Sequence, residues 1–480
     1  MKKTLTFSPF ARIEGQLRVE LEIRDGHVAE AKSSGHLFRG FEWMVQGREP
    51  LEALVILCRI CGQCSLAHSA TCAAALRNIQ GITPPPNGLL ANNIASAIET
   101  ILSHLLHFYT SFAPDLAQPP YDPTMTRRFS LASGTSQREA LRMRHEFLSL
   151  MGFFAGKWPN SLAIQPGGTT RPLDTTELLR AAGILNGFRA ALEEQVLRGP
   201  IAQWLEIDSA PALDNWLVDK NHCDSDLGVF ITLARKHGLD KLGVGPRRFI
   251  SSGGWSMGPG KTWLRAGFLD ADSHAEFKPQ EITEDCKYAW YNAPSQASPL
   301  QEHGDPDPNR TEAYSWAKAP RYEGKSAEVG PMARMLSDGD PLATNLLSRF
   351  GPSVMLRVIM RWHEVFRLVE QVGKWISEIN PDEPFYVKER PWDSFSTSAA
   401  GITEAPRGTL GHWVEVEKGR IRNYQVITPT GWNFSPRDSL SNPGPLEEAL
   451  VGTVINDEEN PVTVSHVVRS FDPCLFCMVH

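Results

Sequence analysis

Two cysteine pairs lie near opposite ends of this chain of 480 residues, Cys61-Gly62-Gln63-Cys64 and Cys474-Leu475-Phe476-Cys477. A CxxC spacing lets two sulfur atoms reach one metal ion, and two pairs supply four soft ligands that suit zinc, an iron–sulfur cluster or nickel. A structural zinc site is one interpretation, but such sites usually gather their ligands within a short segment. Because more than 400 residues separate the pairs, we favour a catalytic metal centre.

Composition and charge argue against several other functions. Hydrophobic residues make up 41% and charged residues 21% of the chain, as in a soluble protein with a substantial core. The net charge is -7 and no basic run reaches five residues, so nucleic acid is not an expected partner. Eight cysteines are too sparse for a disulfide scaffold and favour a reducing compartment. The four cysteines outside the pairs are expected to be buried small side chains: Cys58, Cys72, Cys223 and Cys286.

The sequence gives no sign of a membrane span or a targeting segment. No stretch reaches the roughly 18 apolar residues that a membrane helix requires, and no apolar segment follows the lysines at the N-terminus. We therefore expect a cytoplasmic chain, with any membrane association made through partner subunits.

Periodicity predicts the elements that position the cysteine pairs. Alternation over residues 17–23 and the turn at Asp25-Gly26 predict an N-terminal hairpin within residues 1–35. Short helices at 51–57 and 65–79 place the first pair at a helix–helix junction. Helical periodicity at 89–112, 138–154, 175–198 and 354–379 predicts a bundle of long helices within residues 50–200 and 350–380.

The remaining segments predict less regular structure. Residues 265–345 are polar and rich in Pro and Asp, which is typical of a loop-rich surface excursion. Alternation at 413–416 and 421–427 predicts a second hairpin, and with an apolar stretch at 464–468 it indicates a C-terminal β region and metal-binding tail over 405–480. The predicted fold class is α+β and mainly helical, a single domain over 1–480 with a central bundle of long helices and flanking N- and C-terminal β regions.

The sequence around each pair resembles that of a known family. Arg59-Ile60-Cys61-Gly62-Gln63-Cys64, followed by His68, and Asp472-Pro473-Cys474-Leu475-Phe476-Cys477-Met478-Val479-His480 are similar to segments of the large, catalytic subunit of nickel–iron hydrogenases, closest to the uptake and hydrogen-sensing types. Other signature segments follow in the family's order, so the resemblance spans nearly the whole chain. They are Arg12-Ile13-Glu14-Gly15, Arg39-Gly40-Phe41-Glu42, His107-Phe108-Tyr109 with Asp115, Ala405-Pro406-Arg407-Gly408 and Pro429-Thr430-Gly431-Trp432-Asn433.

The resemblance implies the large-subunit fold and a nickel–iron centre, NiFe(CN)2(CO). Cys61 and Cys474 would be terminal nickel ligands, and Cys64 and Cys477 would bridge nickel to an iron that carries one carbon monoxide and two cyanides. Soft thiolates suit nickel in low oxidation states, and such a pair of metals can cleave dihydrogen heterolytically.

The resemblance also implies roles for residues around the centre. Glu14 is similar to a glutamate that accepts a proton from the thiolate of Cys474, a task that needs a carboxyl with a raised pKa. Arg407, beside Pro406, resembles a guanidinium suspended over the metals, with Asp115 and Asp472 as the carboxylates that hold it. The backbone around Pro406 would contact one cyanide.

Other polar residues are implied to tune or anchor the centre. Thr430 resembles a residue that hydrogen-bonds a cyanide, and His68 a histidine that donates to a bridging sulfur. Glu42, His480 and a backbone carbonyl near Val426 resemble the ligands of a Mg2+ or Fe2+ ion that holds the C-terminus.

Two of the positions that depart from the family's pattern concern the passage of gas. Gln63 and Ser111 stand where the family more often has aliphatic side chains that line the narrow end of a gas tunnel. Polar side chains there would alter either gas access or the hydrogen bonding of the active site. We therefore expect unusual oxygen or hydrogen kinetics, which Gln63→Val would change.

The function implied is reversible oxidation of H2 to protons and electrons, biased toward uptake. Because the motif cysteines are all used by one centre, the electrons would pass to a small subunit that carries the iron–sulfur clusters. The expected assembly is a dimer of heterodimers or larger, formed after maturation proteins insert the metals. The alternative is a regulatory, H2-sensing subunit that signals to a histidine kinase.

Overall fold

Helices account for about 45% and strands for about 20% of the chain, which agrees with the predicted α+β class. The computed structural model describes residues 3–271, 273–301, 304–455 and 457–480. Its α-helices are α1 Phe41–Met44, α2 Glu52–Leu57, α3 Ser65–Gln80, α4 Pro86–Leu106, α5 Pro123–Thr126, α6 Thr135–Leu148, α7 Leu150–Ala155, α8 Thr175–Leu192, α9 Ile201–Leu205, α10 Ala210–Trp216, α11 Lys220–Cys223, α12 Asp226–Lys236, α13 Pro331–Asp338, α14 Pro341–Phe350, α15 Val354–Glu378, α16 Pro429–Asn433, α17 Pro445–Leu450, α18 Val462–Ser470 and α19 Leu475–Met478.

The strands form several small antiparallel sheets. Two sheets have three consecutive strands, β1-β2-β3 near the N-terminus and β15-β16-β17 near the C-terminus. The strands are β1 Lys3–Phe7, β2 Leu17–Arg24, β3 His27–Gly35, β4 Ile164–Gln165, β5 Gly168–Thr169, β6 Arg248–Ser251, β7 Gly254–Gly258, β8 Lys261–Leu264, β9 Gly267–Asp270, β10 Ser273–Ala275, β11 Ile282–Asp285, β12 Tyr291–Asn292, β13 Asp305–Pro306, β14 Ala319–Tyr322, β15 Thr397–Ala405, β16 Gly408–Glu417 and β17 Arg420–Ile427.

Long helices form the centre of the molecule, as the apolar periodicity predicts. Helix α15 packs against both α4 and α8. Local sequence begins these helices: the Ser353 side chain accepts a hydrogen bond at the start of α15, and Asp174 and Glu177 form a capping box at the start of α8. The predicted helices at 51–57 and 65–79 are confirmed as α2 and α3.

One long helical stretch also meets the length and composition of a membrane span. This stretch is Pro86–Ala117, but 78% of its most apolar window is buried inside the protein. Buried core helices of soluble proteins meet the same criterion. The stretch is therefore weak support for a membrane span.

The structure corrects four of the sequence predictions. The N-terminal hairpin gains a third strand, β1, whose short polar sequence is too weak a signal by itself. Residues 265–345 are not simply a surface excursion, because α13 lies within them and the side chain of Arg334 is fully buried. The β region at the C-terminus starts earlier, at Thr397, and ends at Ile427. The apolar stretch 464–468 lies in helix α18, since packing overrides the strand preference of β-branched residues.

Candidate metal centre

The two cysteine pairs meet although they lie at opposite ends of the chain. Cys61 follows a short turn of 3-10 helix, Cys58–Ile60, in an extended conformation, and Cys64 is the residue that precedes α3. Cys474 precedes α19, and Cys477 lies within it. The Sγ atoms of Cys61 and Cys474 are 3.5 Å apart, and those of Cys64 and Cys477 are 3.2 Å apart.

The N-terminal segment holds the second pair in place. Glu14 forms a parallel bridge with Cys474, and its carbonyl accepts a hydrogen bond of 2.7 Å from the backbone N–H of Leu475. Gly15 makes this approach possible, because its φ is +89° and a Cβ atom there would lie 2.9 Å from the Cβ of Leu475. Glu14 is therefore brought to the cysteines by its backbone.

The four thiols form a buried group that fits soft metal ions. Hydrogen bonds from Cys477, Cys61 and Cys64 lower the pKa of Cys474 well below its usual value. Burial, together with contact with Cys474, raises the pKa of Cys477. Metal ions would displace the thiol protons on binding, since the thiolate is the metal-binding form. The sulfur atoms of Cys61, Cys64 and Cys477 lie within 4.8 Å of one another, and the sulfur of Cys474 lies 3.5 Å from that of Cys61. Sulfur donors suit nickel and iron better than hard cations.

A small cavity lies beside Cys64 and Cys477. Its volume is about 10 Å3, and most of its lining is apolar. Arg407 and Thr430 provide polar groups at its wall. Nη1 of Arg407 is buried without a hydrogen-bond partner in the described part of the chain. A buried donor of this kind is rare in proteins unless a ligand or water uses it, so this cavity suits small acceptor ligands on a metal.

Arg407 lies in the two-residue turn between β15 and β16. Its Nε donates to the backbone carbonyl of Asp472 at 3.0 Å, and its Nη2 is 3.1 Å from Oδ1 of the same residue. Burial alone would lower the pKa of Arg407, but the charges of Asp472 and Cys474 outweigh it and raise the pKa well above its ordinary value. The guanidinium is therefore a permanent cation next to the sulfurs.

The prediction that Asp115 also holds Arg407 is wrong. The carboxylate of Asp115 instead pairs with Arg12 and Arg469. Arg12 directly precedes Ile13 and Glu14, and its Nη1 also donates to the carbonyl of Ser111. Asp115 thus anchors the segment that carries Glu14, and Asp472 alone of the two carboxylates binds Arg407.

Sequence reasoning missed a buried ion network that holds the turn carrying Arg407. Arg334 donates to the carbonyls of Ala405 and Pro406 at 2.9 and 3.0 Å, and it pairs with Glu364 and Glu404. The Pro406 carbonyl accepts from Arg334. Because a carbonyl cannot donate to a cyanide and proline has no N–H, contact between the backbone around Pro406 and a cyanide stays a prediction. A charged side chain within the apolar pattern of α13 is the only sequence signal for this network, since its partners are far away in the chain.

The carboxyl of Glu14 lies half-buried next to the sulfurs. Burial raises its pKa, and the charge on Cys474 raises it further, against the opposing effect of Arg407. Oε1 of Glu14 accepts a 2.5 Å hydrogen bond from the amide of Gln63. The role of Glu14 as a proton acceptor stays a prediction.

Thr430 and His68 both line the small cavity. Oγ1 of Thr430 accepts a 3.2 Å hydrogen bond from the backbone N–H of Cys474, so its own proton is available to a neighbouring ligand. Nδ1 of His68 is shared with Nε2 of His412 at 3.2 Å, and Nδ1 of His412 contacts the hydroxyl of Tyr424. Burial lowers the pKa of His68 to about 3, so the ring is neutral. Donation from His68 to a bridging sulfur stays a prediction.

The residues predicted to bind Mg2+ or Fe2+ also lie together. Oε1 of Glu42 is 3.4 Å from Nε2 of His480 and accepts a 2.7 Å hydrogen bond from the backbone N–H of Val426. Burial alone would raise the pKa of Glu42, but Lys318 and His480 outweigh it and lower the pKa. A cavity of about 20 Å3 adjoins these residues, which is room for an ion or one water. Ligation by the Val426 carbonyl stays a prediction.

Comparisons with known proteins agree with this geometry. The sequence profile of the nickel-dependent hydrogenase family matches residues 39–130 and 225–480. The chain is 29% identical to the periplasmic [NiFeSe] hydrogenase large subunit of Desulfomicrobium baculatum, covering 100% of this chain and 95% of that protein. It is 27% identical to the uptake hydrogenase large subunit of Rhodobacter capsulatus, again over 100% of this chain and 95% of the relative.

A solved structure of the D. baculatum [NiFeSe] hydrogenase superposes over 100% of both chains, with a TM-score of 0.85 and 28% identity. The family match covers well over half of the chain and includes both cysteine pairs. The chain therefore belongs to the nickel-dependent hydrogenase family, as a large subunit with hydrogenase activity.

Proposed function

We propose that the four cysteines hold a nickel–iron centre with carbon monoxide and cyanide on the iron, and that the enzyme oxidises H2 with a bias toward uptake. The observation that carries this proposal is the pairing of the sulfurs, Cys61 with Cys474 and Cys64 with Cys477. In this assignment Cys61 and Cys474 would hold nickel alone, and Cys64 and Cys477 would be ligands of both nickel and iron. When bound, such a centre supplies heterolytic cleavage of H2.

The chain's own residues position and move the proton. Glu14 lies beside Cys474 and would receive a proton from that sulfur, since its pKa is raised and its backbone is fixed. Arg407 supplies a fixed positive charge to the cavity, and Asp472 holds it. Thr430 offers a hydroxyl proton to a cyanide, and His68 lines the same wall as a neutral ring.

The electrons would leave through a partner. The proposed partner is a small subunit that carries iron–sulfur clusters, in a dimer of heterodimers or larger assembly, after maturation proteins load the metals. The name of the R. capsulatus relative supports uptake as the direction, and the H2-sensing alternative gains no support from these relatives. A cytoplasmic location belongs to the proposal as well, and cell fractionation tests it against the periplasmic location in the name of the D. baculatum relative.

An infrared spectrum of the purified complex tests the nickel–iron proposal. Bound carbon monoxide and cyanide absorb where protein and water are nearly transparent, and a zinc site has no such ligands. We expect one carbonyl and two cyanide bands that shift under H2, with nickel and iron in the metal analysis. A loaded protein that contains zinc and has no bands would overturn the proposal.

For the second metal site, we expect Glu42→Gln to remove one equivalent of bound Mg2+ or Fe2+. An amide is a much weaker ligand than a carboxylate for a hard cation, and the variant also weakens the contact with His480. Metal analysis and thermal unfolding of the purified complex measure the result, with a lower Tm expected. Nickel content in the same sample serves as the control, because its loss would indicate general failure of maturation. Unchanged Mg2+ and Fe2+ would contradict this assignment.

A further inference from the structure

Gln63 lies between the two cysteines of the first pair and bridges two groups of the site. Its Nε2 donates to Oε1 of Glu14 at 2.5 Å. Its Oε1 accepts from Nη2 of Arg407 at 3.3 Å. One side-chain amide therefore joins the proposed proton acceptor to the fixed cation.

The chemistry of the two neighbours determines which way the amide points. A carboxylate accepts hydrogen bonds and a guanidinium only donates them. If the amide were turned over, its oxygen would face the Glu14 carboxylate and its NH2 group would face Arg407, and neither contact would be a hydrogen bond. Only glutamine or a similar side chain with one donor and one acceptor satisfies both neighbours at this position.

The backbone gives Gln63 little freedom to move away. It is flanked by Cys61 and Cys64, which the proposed metals would fix, and the backbone N–H of Cys64 lies 3.4 Å from the sulfur of Cys61. Gln63 also lines a polar cavity of about 40 Å3 with Glu14, His107 and Asp472, which has room for two or three waters. Gln63 therefore borders a cavity that is large enough for water, close to the first cysteine pair.

Resting on the proposed function, we propose that Gln63 is a positioning residue that fixes the carboxylate of Glu14 and the guanidinium of Arg407 relative to each other during proton release. The bridge uses the side chain's amide group. A side chain of equal length without the amide could not form this bridge. Any effect of residue 63 on the passage of gas would instead depend on the bulk of its side chain. These two roles can therefore be separated by variants of similar size.

Two variants of the whole complex test the bridge. Gln63→Met keeps the length and bulk of the side chain but makes neither hydrogen bond. Gln63→Glu keeps the shape and the acceptor toward Arg407 but replaces the donor toward Glu14 with a second carboxylate oxygen. We expect kcat for H2 oxidation to fall about tenfold in each, since a hydrogen bond to a charged group is lost. The KM for H2 and the rate of carbon monoxide binding should stay within twofold.

A crystal structure of each variant gives a readout that does not depend on turnover. We expect the Glu14 carboxylate to turn away from Arg407 or to occupy two conformers, while the four cysteines keep their positions. A Glu14 carboxylate that does not move, together with a parental kcat, would overturn the inference. A changed KM and a changed rate of carbon monoxide binding at parental kcat would also overturn it, because that result is expected if Gln63 controls gas passage. If Gln63→Met fails to mature, Gln63→Glu alone decides. Hydrogen-sensitive infrared bands in the parent show that the proposed function stands whichever result is found.

Discussion

Replacing Glu14 by glutamine should lower the steady-state rate of H2 oxidation by at least about 100-fold, because general acid–base groups contribute about 100- to 10,000-fold. Glutamine keeps the shape of the side chain and can still accept a hydrogen bond from Gln63, but it cannot take up a proton. The raised pKa of Glu14 and the backbone bridge that holds it beside Cys474 make it suited to that task. Dye-linked H2 oxidation measures the loss.

Two exchange reactions separate proton release from the splitting of H2. Exchange of H2 with D2O requires a proton to leave the site, whereas conversion of para-hydrogen to ortho-hydrogen requires only cleavage and recombination. In Glu14→Gln we expect exchange to fall with the oxidation rate and para-hydrogen conversion to continue. Glu14→Asp is the matched control, since it keeps a carboxyl at shorter reach and should retain part of the exchange. If Glu14→Gln exchanged H2 with D2O at the parental rate, Glu14 would be excluded as the group through which the proton leaves.

Parts of the site could be predicted from the sequence where one short segment contains both the functional residue and the motif or helix that identifies it. Each cysteine pair stands in a CxxC motif, and the flanking helices α2 and α3 follow from local periodicity. Glu14 and Arg407 lie in short segments similar to those of the family, and the structure brings both to the cysteines. These features depend on neighbours in sequence, which is the information that a single sequence holds.

Partner choice between distant charged residues could not be predicted in the same way. Asp115 pairs with Arg12 and Arg469 rather than with Arg407, because the fold brings the guanidinium groups of those two residues to its carboxylate. Likewise, nothing local marks Arg334 as the residue that holds the Pro406 carbonyl. Such pairings are set by tertiary packing over hundreds of residues, so they follow only from the folded chain.

Replacing Cys477 by serine should remove the metal centre. Cys477 lies 3.2 Å from Cys64, and the proposal makes both of them ligands shared by nickel and iron. A serine hydroxyl is a hard, protonated oxygen that suits neither metal well. Loss of a residue that only supports a ligand costs about 10- to 100-fold in metal affinity, so loss of a bridging ligand should lower nickel content at least about tenfold. The carbonyl and cyanide bands should disappear in parallel.

Cys286→Ser is the matched control for this loss. Cys286 is as fully buried as Cys477, but it packs with Ala289 and Tyr291 in a separate small cluster. We expect this variant to keep its nickel and its infrared bands, because its sulfur is not part of the four-thiol group. Metal analysis and infrared spectra of both variants, purified with the partner subunit, make the comparison. Parental nickel and bands in Cys477→Ser would mean that the metals are held elsewhere, whereas equal losses in both variants would mean that the substitution of any buried cysteine prevents maturation.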